Sequence, residues 1–277
     1  MELANDGTVL DVQGARIPRL GFGTWLLEGD DAYDGVRDAL EIGYRHIDTA
    51  RAYENEQEVG RAIADSGLDR GELWITTKIW TSEFAAGDLE RAAEDSLHNL
   101  RVDHVDLLLL HWPNPEVPLE ESLGALARLR EDGRIGHAGV SNFPAGMLQR
   151  ALEMAPLLAN QVEYHPFLAQ DALLDVCAAN ELTLTAYSPL AHGAVPKDPD
   201  LKEIGAAHGK TAGQVALRWL LDQELVTTAP KASSHDRRLE NFEVFDFALT
   251  EEDRERIAAL PKDRRRTDPP WAPDWEA

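Results

Sequence analysis

The sequence predicts an α/β protein of the (β/α)8, or TIM, barrel class. Short apolar runs alternate along the chain with segments whose apolar residues recur at helical spacing. Alternating strands and helices form parallel sheets that helices cover, and eight such units within 277 residues match a closed barrel. We therefore expect one barrel domain over residues 1–277, with a hairpin at residues 1–18 and a tail at residues 261–277.

A β-hairpin is predicted before the barrel. Residues 8–12 and 15–17 read as short strands on either side of Gln13-Gly14, and we expect this hairpin to close the bottom of the barrel. Apolar runs then mark the eight barrel strands. These runs lie at residues 20–23, 45–48, 73–79, 105–111, 135–141, 158–163, 182–187 and 226–231.

Helical spacing marks segments between the strands. Tyr33, Val36 and Leu40 recur at intervals of three and four residues, as do the apolar residues of 89–100 and 119–129. The opposite faces are charged, which is typical of helices that pack one side on a sheet. A doubly wound sheet is the alternative architecture. It needs a third glycine and an immediate helix after its first strand, which GFGTWL, beginning at Gly21, lacks.

Charge and composition argue against several classes of function. Fifty acidic residues against 27 basic ones leave a formal charge of −23, which repels nucleic acid and anionic membranes. The chain opens without a signal-peptide pattern, and its most apolar run, residues 105–110, is too short to span a bilayer. Cys177 is the only cysteine, so no disulfide forms within the chain. We expect a cytoplasmic monomer that binds neither nucleic acid nor membrane.

The acidic residues are spread along the whole chain, and only six of the 27 basic residues are lysines. This pattern predicts a surface adapted to a very salty cytoplasm, where ionic screening removes the self-repulsion of the chain. An ordinary acidic protein is the alternative, and stability measured from low to molar salt distinguishes the two.

Polar residues at the ends of predicted strands form a candidate catalytic site. The C-terminal ends of barrel strands converge on one mouth. Asp48 ends the second predicted strand, Tyr53 follows it, Lys78 lies near the end of the third and His111 ends the fourth. A lysine and a histidine within such apolar runs are unfavourable in a dry core without partners. We therefore expect these four side chains to meet.

These residue types suit the reduction of a carbonyl group. Asp48 would keep the ammonium of Lys78 charged, and that cation would lower the pKa of Tyr53 from about 10. The phenol could then give a proton to a carbonyl oxygen, while His111 orients and polarises the same oxygen. No side chain supplies a hydride, so a nicotinamide cofactor is implied. The other histidines lack the paired spacing of metal ligands, and no metal is predicted.

Eight short motifs resemble successive signatures of the aldo-keto reductase family. They are GFGTW (21–25), GYRHIDTARAYENE (43–56), TTKIW (76–80), VDLLLLHWP (105–113), GVSNF (139–143), NQVEYHP (160–166), AYSPLA (186–191) and PKASS with the following R and EN (230–241). The chain is similar in particular to the short prokaryotic 2,5-diketo-gluconate and methylglyoxal reductases. The resemblance implies that Tyr53 is the proton donor, that Lys78 and Asp48 tune it, and that His111 positions the substrate carbonyl.

The resemblance also implies a set of cofactor contacts near the nicotinamide. Ser141, Asn142 and Gln161 would hold the carboxamide, and Tyr187 would stack on the ring. The remaining contacts in this part would come from Ser188 and Leu190 along the pyrophosphate and from Gly23 and Thr24 on the first strand.

The adenosine end of the cofactor is expected after the last strand. Phosphate sites in barrels commonly follow strands seven and eight, near a helix N-terminus. The segment PKASSHDRRLEN lies there. Its candidates are Lys231, Ser233, Ser234 and Arg237 for a 2′-phosphate, and Glu240 and Asn241 for the adenine. We expect NADPH, with NADH as second choice because Ala232 stands where the family usually has Ser or Thr.

Aromatic residues are the candidates for the substrate pocket. Trp25 and Trp112 are similar to pocket walls of the family, and Trp271 and Trp275 in the tail could fold over the pocket. The predicted substrates are small or sugar-derived aldehydes and ketones. The main alternative is a catalytically silent, nucleotide-binding barrel with a regulatory or structural role. A metal-dependent barrel hydrolase would need carboxylate or histidine pairs at strand ends, and only His111 qualifies.

Overall fold

A computed structural model describes residues 7–276, so residues 1–6 and 277 of the predicted domain lie outside the described part. The described residues form an eight-stranded parallel sheet and a two-stranded antiparallel hairpin, which confirms the predicted fold class. The hairpin strands are β1 (Val9–Val12) and β2 (Ala15–Pro18). The barrel strands are β3 (Phe22–Gly23), β4 (His46–Asp48), β5 (Trp74–Ile79), β6 (Val105–Leu110), β7 (Ile135–Ser141), β8 (Ala159–Glu163), β9 (Thr183–Tyr187) and β10 (Val226–Thr228).

The barrel closes between its first and last strands. Strands β3 to β10 pair in sequence order, each parallel to the next. Leu20, just before β3, forms a parallel bridge with Thr228 of β10, and the backbone N–H of Gly21 donates to the Thr228 carbonyl at 2.7 Å. All strands therefore present their C-terminal ends at the same mouth.

The α-helices of the described chain surround this sheet. They are α1 (Asp30–Ile42), α2 (Glu56–Asp65), α3 (Asp88–Leu100), α4 (Leu119–Glu131), α5 (Ala145–Met154), α6 (Asp171–Asn180), α7 (Pro199–Ala207), α8 (Ala212–Leu221), α9 (His235–Phe242) and α10 (Glu251–Ala258). The three helices predicted from apolar spacing are α1, α3 and α4. In α1 the buried stripe includes Val36, Ala39 and Leu40, because these positions share one face.

The hairpin closes the lower end of the barrel, as predicted. Leu10, Val12 and Ile17 form one buried cluster with Trp74 and Leu107, which lie in the barrel strands. Burial of this cluster removes the lower end from solvent and leaves the opposite mouth as the open end.

Two strands are shorter than their apolar runs by at least two residues. The runs at 20–23 and 226–231 contain the two-residue β3 and the three-residue β10. Pro230 lacks an N–H for sheet pairing, and the chain leaves the sheet before it. The loop after residue 190 contains two short 3-10 turns, Ala191–Gly193 and Val195–Lys197. No helix among residues 7–276 is long and apolar enough to cross a membrane.

Candidate active site

An open cleft of about 2280 Å³ lies at the mouth of the barrel. Asp48, Tyr53 and His111 line it, and so do Lys231 and Arg237 of the segment that follows β10. Pockets for drug-sized ligands usually measure roughly 300–1,000 Å³. The cleft therefore has room for a ligand of dinucleotide size together with a second small molecule.

A buried ion pair lies behind the cleft wall. Asp48 pairs with Thr76 in the register of β4 and β5, so Lys78, two residues further along β5, points to the same face of the sheet. The Lys78 ammonium donates to Asp48 Oδ1 at 2.6 Å, to the Thr49 carbonyl at 2.7 Å and to Tyr53 OH at 3.3 Å. These bonds use all three hydrogens of the ammonium. The structure thus brings Asp48, Tyr53 and Lys78 together.

The protonation states of this group follow from burial and charge. Burial lowers the pKa of Lys78, but Asp48 and Tyr53 outweigh it, so the pKa lies above its ordinary value and the amine stays charged. Burial raises the pKa of Tyr53 more than the neighbouring Lys78 lowers it, so the net shift is upward. The prediction of a lowered Tyr53 pKa is therefore wrong. The phenol keeps its proton at neutral pH.

His111 completes the group at the mouth. Its ring centroid lies 5.7 Å from that of Tyr53 in an edge-on arrangement. Burial, together with the charge of Lys78, holds the pKa of His111 well below 6.5, so the imidazole is neutral at neutral pH. Its Nδ1 is buried and has no hydrogen-bond partner in the described chain. Such an atom beside a cleft is a place where a ligand contact is expected.

The four residues predicted to hold the nicotinamide lie together, within or directly after β7, β8 and β9. The Ser141 hydroxyl donates to the Gln161 carbonyl at 2.8 Å, and the Tyr187 hydroxyl donates to Asn142 Oδ1 at 2.8 Å. The Asn142 amide also donates to the His111 carbonyl at 3.0 Å. This network fixes the side chains before any ligand arrives.

Gln161 joins this network to the ion pair. Its Nε2 donates to Asp48 Oδ2 at 2.6 Å, while Asp48 Oδ1 accepts from Lys78. Both carboxylate oxygens of Asp48 therefore have partners, and Gln161 connects the two predicted groups: its side chain donates to Asp48 and its backbone carbonyl accepts from Ser141.

Residues of the first strand and of the segment after β9 also line the cleft. A Cβ at Gly23 would lie 2.7 Å from the Ala229 carbonyl, so packing requires glycine there. The Thr24 hydroxyl donates to the Thr49 hydroxyl at 2.9 Å, and the Thr24 backbone N–H donates to the Asp48 carbonyl at 3.0 Å. Ser188 and Leu190 line the cleft as well.

The end of the cleft that is predicted for the adenosine is more exposed. Lys231, Arg237, Glu240 and Asn241 line the cleft, whereas Ser233 and Ser234 are exposed and do not line it. Lys231 and Arg237 have no ion-pair partner within residues 7–276. Glu240 Oε1 accepts a hydrogen bond from the Thr211 hydroxyl at 2.7 Å.

Three lysines that the motifs did not indicate line the same cleft. They are Lys197, Lys202 and Lys210. Lys210 is paired with Asp246 at 2.7 Å, whereas Lys197 and Lys202 have no ion-pair partner in the described residues. With Lys231, four of the six lysines of an acidic chain face one cleft. The small number of lysines in the sequence is the signal that could have drawn attention to these residues. It does not show that they line one cleft.

Asn55 is another residue that the sequence did not single out. It is buried, its amide donates to the carbonyls of Thr24 and Leu27 at 2.9 Å each, and its Oδ1 accepts from Thr49 at 3.0 Å. Asn55 thus ties the loop that carries Tyr53 to the loop after β3.

The aromatic residues predicted for the substrate line the cleft in two places. Trp25 is 45% exposed and its ring lies 5.9 Å from that of His192. Trp112 is buried and lies edge-on to Trp275 of the tail, at 6.1 Å between ring centroids. Trp271 also lines the cleft. Among the described residues, no group of three or more His, Cys, Asp or Glu could hold a metal ion.

The fold and the cleft define the class of protein as a (β/α)8 barrel with an acid–base group, backed by a buried ion pair, at its mouth. The chain belongs to the aldo/keto reductase family, whose model matches residues 19–262. It is an oxidoreductase of that family.

Named reductases are similar to this chain over most of its length. It is 41% identical to a glyoxal reductase of Bacillus subtilis over 91% of this chain and 92% of the relative. It is 37% identical to the methylglyoxal reductase DkgB of Escherichia coli O157:H7 over 94% of this chain and 99% of the relative.

Solved structures show the same fold. A crystal structure assigned as a candidate 2,5-diketo-D-gluconic acid reductase B matches with a TM-score of 0.96 and 43% identity, covering 99% of this chain and 100% of the other. A Bombyx mori aldo-keto reductase in complex with NADP matches with a TM-score of 0.87 and 31% identity, covering 94% of each chain.

Proposed function

We propose that this protein uses NADPH to reduce small or sugar-derived aldehydes and ketones to alcohols, with Tyr53 as the proton donor. The observation that carries the proposal is the 3.3 Å hydrogen bond between Lys78 Nζ and Tyr53 OH at the edge of a cleft that His111 also lines. The similarity to a glyoxal reductase and a methylglyoxal reductase supports small dicarbonyl compounds as the first substrates to test.

Each member of the acid–base group has a role in this proposal. The bound nicotinamide supplies the hydride. Tyr53, protonated at neutral pH, gives its proton to the carbonyl oxygen, and the Lys78 ammonium stabilises the phenolate that remains. Asp48 keeps Lys78 charged, and the neutral imidazole of His111 donates a hydrogen bond that orients and polarises the same oxygen.

The proposed cofactor fits the residues that line the rest of the cleft. Ser141, Asn142 and Gln161 would hold the carboxamide, and Tyr187 would stack on the ring. Gln161 Nε2 already donates to Asp48, so its Oε1 is the atom that we expect to accept from the carboxamide. The cofactor would then lie against the same network that holds the proton donor.

The preference for NADPH rests on unpaired cations. Lys231 and Arg237 would bind the 2′-phosphate by charge-assisted hydrogen bonds, and Lys197 and Lys202 add positive charge to the same cleft. The charge of −23 opposes an anionic ligand, but at physiological salt it is screened over about 8 Å, so cations near the phosphate dominate. Ala232 removes a hydroxyl from this site, so NADH is the proposed second choice.

The test is the loss of NADPH absorbance with methylglyoxal, phenylglyoxal and simple aldehydes, repeated with NADH. We expect turnover of at least one carbonyl, and a higher kcat/KM with NADPH than with NADH. A higher kcat/KM with NADH would contradict the cofactor assignment. Binding of NADPH without turnover of any carbonyl would instead support the catalytically silent, regulatory or structural alternative.

Further proposals concern the state of the protein in the cell. We propose a cytoplasmic monomer with one domain over residues 1–277 and a surface suited to high salt. Sedimentation tests whether the protein is a monomer in solution. Unfolding measured from low to molar salt tests the surface, because an acidic chain that needs screening gains stability as salt rises, whereas indifference to salt would remove the idea.

A further inference from the structure

The C-terminal tail, residues 261–276, supplies one wall of the cleft. Its lining members are Arg266, Thr267, Asp268, Pro269 and Trp271. The first part of the tail pairs with the segment after β8: Asp263 bridges Leu168, and the N–H of Arg264 donates to the Phe167 carbonyl at 2.9 Å. The wall itself begins after this pairing.

A buried carboxylate holds the tail where the wall begins. Glu163, the last residue of β8, is fully buried. Its Oε1 accepts from the backbone N–H of Arg266 at 2.7 Å, and its Oε2 accepts from that of Thr267 at 2.8 Å. One side chain at the end of a barrel strand thus binds two successive backbone groups of the tail.

His165 completes the surroundings of this carboxylate. The backbone N–H of Phe167 donates to His165 Nδ1 at 3.2 Å, so Nε2 carries the proton and donates to Glu163 Oε1 at 2.9 Å. Burial alone would raise the pKa of Glu163, but the hydrogen bonds from His165 and the two backbone groups outweigh it and lower the pKa. Glu163 is therefore an anion that accepts from three donors.

Beyond Thr267, the hydrogen bonds of the described tail stay within the tail. Trp275 Nε1 donates to Asp268 Oδ1 at 2.9 Å, and the N–H of Ala272 donates to the Pro269 carbonyl at 2.8 Å. Trp275 also packs edge-on against Trp112, but the last hydrogen bonds that join the tail to the barrel are those that Glu163 accepts at residues 266 and 267.

We propose that Glu163 is a positioning residue that fixes the C-terminal wall and so sets selectivity between carbonyl substrates that differ in the size of the group beyond the carbonyl. This inference rests on the proposed function. The wall presents Trp271 to the cleft. We expect a large apolar group of the substrate to pack on Trp271 and a small group not to reach it. A loosened wall should therefore weaken binding of large substrates and spare small ones.

Glu163→Gln tests the idea with methylglyoxal and phenylglyoxal, which share the dicarbonyl and differ by a ring. Gln places an NH₂ group against a backbone N–H of the tail, so one hydrogen bond becomes a clash between donors. We expect KM for phenylglyoxal to rise about tenfold, with less than about a twofold change in KM for methylglyoxal and in Kd for NADPH. Equal changes for the two dicarbonyls, in KM or in kcat, would overturn the proposal.

A second variant keeps the test decisive if Glu163→Gln folds poorly. Trp271 is 59% exposed, so Trp271→Ala should fold normally and should raise KM for phenylglyoxal in the same selective way. In the double variant the two increases in KM for phenylglyoxal should be less than additive, because both substitutions act through the wall. Full additivity, or no effect of Trp271→Ala, would contradict the proposal.

Asp106→Asn is the matched control. Asp106 Oδ2 also accepts a backbone N–H, that of Ile75 at 2.7 Å, but it does not line the cleft. This variant should lower stability without changing the ratio of the two KM values.

Hydrogen exchange separates the failure of this inference from the failure of the proposed function. The amides of residues 266 and 267 should exchange faster in Glu163→Gln than in the wild type, whether or not any carbonyl is reduced. A wild type that reduces no carbonyl would refute the proposed function. Unchanged exchange in the variant would refute the role of Glu163.

Discussion

The two ends of the cleft are built in different ways. At the reaction end, Lys78 is fully buried and its charge is matched by Asp48 at 2.6 Å. At the end proposed for the adenosine, Lys231 and Arg237 are exposed and have no ion-pair partner in the part of the chain that the structure describes. The buried charge at the first end is thus paired within the protein, whereas the cations at the second end are available to a ligand.

The difference follows from the free energy of charge burial. A buried charge must be paired within the protein, because an unpaired one carries a large desolvation penalty. An exposed cation stays hydrated without a partner and gains a charge-assisted hydrogen bond when a phosphate arrives. We therefore expect substitutions at the reaction end to affect kcat and stability, and substitutions at the adenosine end to affect affinity alone.

Lys78→Met should have the largest effect. It leaves Asp48 buried beside Gln161 without its cation, so the free energy of unfolding should fall by about 3–5 kcal/mol. The rate should fall by about 10²–10⁴-fold, because Tyr53 loses the charge that stabilises its phenolate. Chemical denaturation and steady-state kinetics with methylglyoxal measure the two losses. A stable, active variant would show that the buried pair is not needed.

Arg237→Gln and Lys231→Gln should each raise KM for NADPH roughly tenfold or more, since a hydrogen bond to a charged group contributes about 1.5–3 kcal/mol. NADH lacks the 2′-phosphate, so KM for NADH should be unchanged, as should stability. A parallel loss of affinity for both cofactors would place these side chains away from the phosphate.

Lys202→Gln should have a smaller effect, a rise in Kd for NADPH of about two- to threefold that disappears in high salt, because an exposed charge acts through a screened field. Arg150→Gln is the control, since Arg150 is also exposed and has no ion-pair partner among residues 7–276, but does not line the cleft. Titration of NADPH by fluorescence at two salt concentrations measures both. The same change in the two variants would show a general effect of net charge.

The smallest expected effect is that of pH on the rate of reduction near neutral pH. The raised pKa values of Tyr53 and Lys78 and the lowered pKa of His111 leave all three groups in one protonation state from about pH 7 to about pH 9. Reduction should be nearly constant there and should fall only at more alkaline pH, when the phenol loses its proton. A steep fall through neutral pH would contradict the upward shift at Tyr53.

The meeting of Asp48, Tyr53 and Lys78 could be predicted because parallel barrel strands end at one mouth. Strand ends are visible in the sequence as polar residues after apolar runs, so that part of the site follows from local pattern and fold class. The direction of the Tyr53 pKa could not be predicted. It depends on the balance of burial and charge, and sequence shows the charge of Lys78 but not the depth of the phenol.

Contacts between distant segments also could not be predicted from the sequence. Glu163 and Arg266 are 103 positions apart, and neither carries a pattern that indicates the other. Lys197 and Lys202 lie in a segment whose turns have left-handed residues such as His192, and their place at the cleft depends on that path. Such contacts follow from the course of loops, which apolar periodicity does not describe.

The most direct test is Tyr53→Phe, which removes one hydroxyl and keeps the ring against His111. NADPH binding, followed by fluorescence, should be unchanged, while kcat for methylglyoxal should fall by about 10²–10⁴-fold. The same rate in Tyr53→Phe and the wild type would show that the proton comes from another group, and the proposed chemistry of the cleft would be wrong.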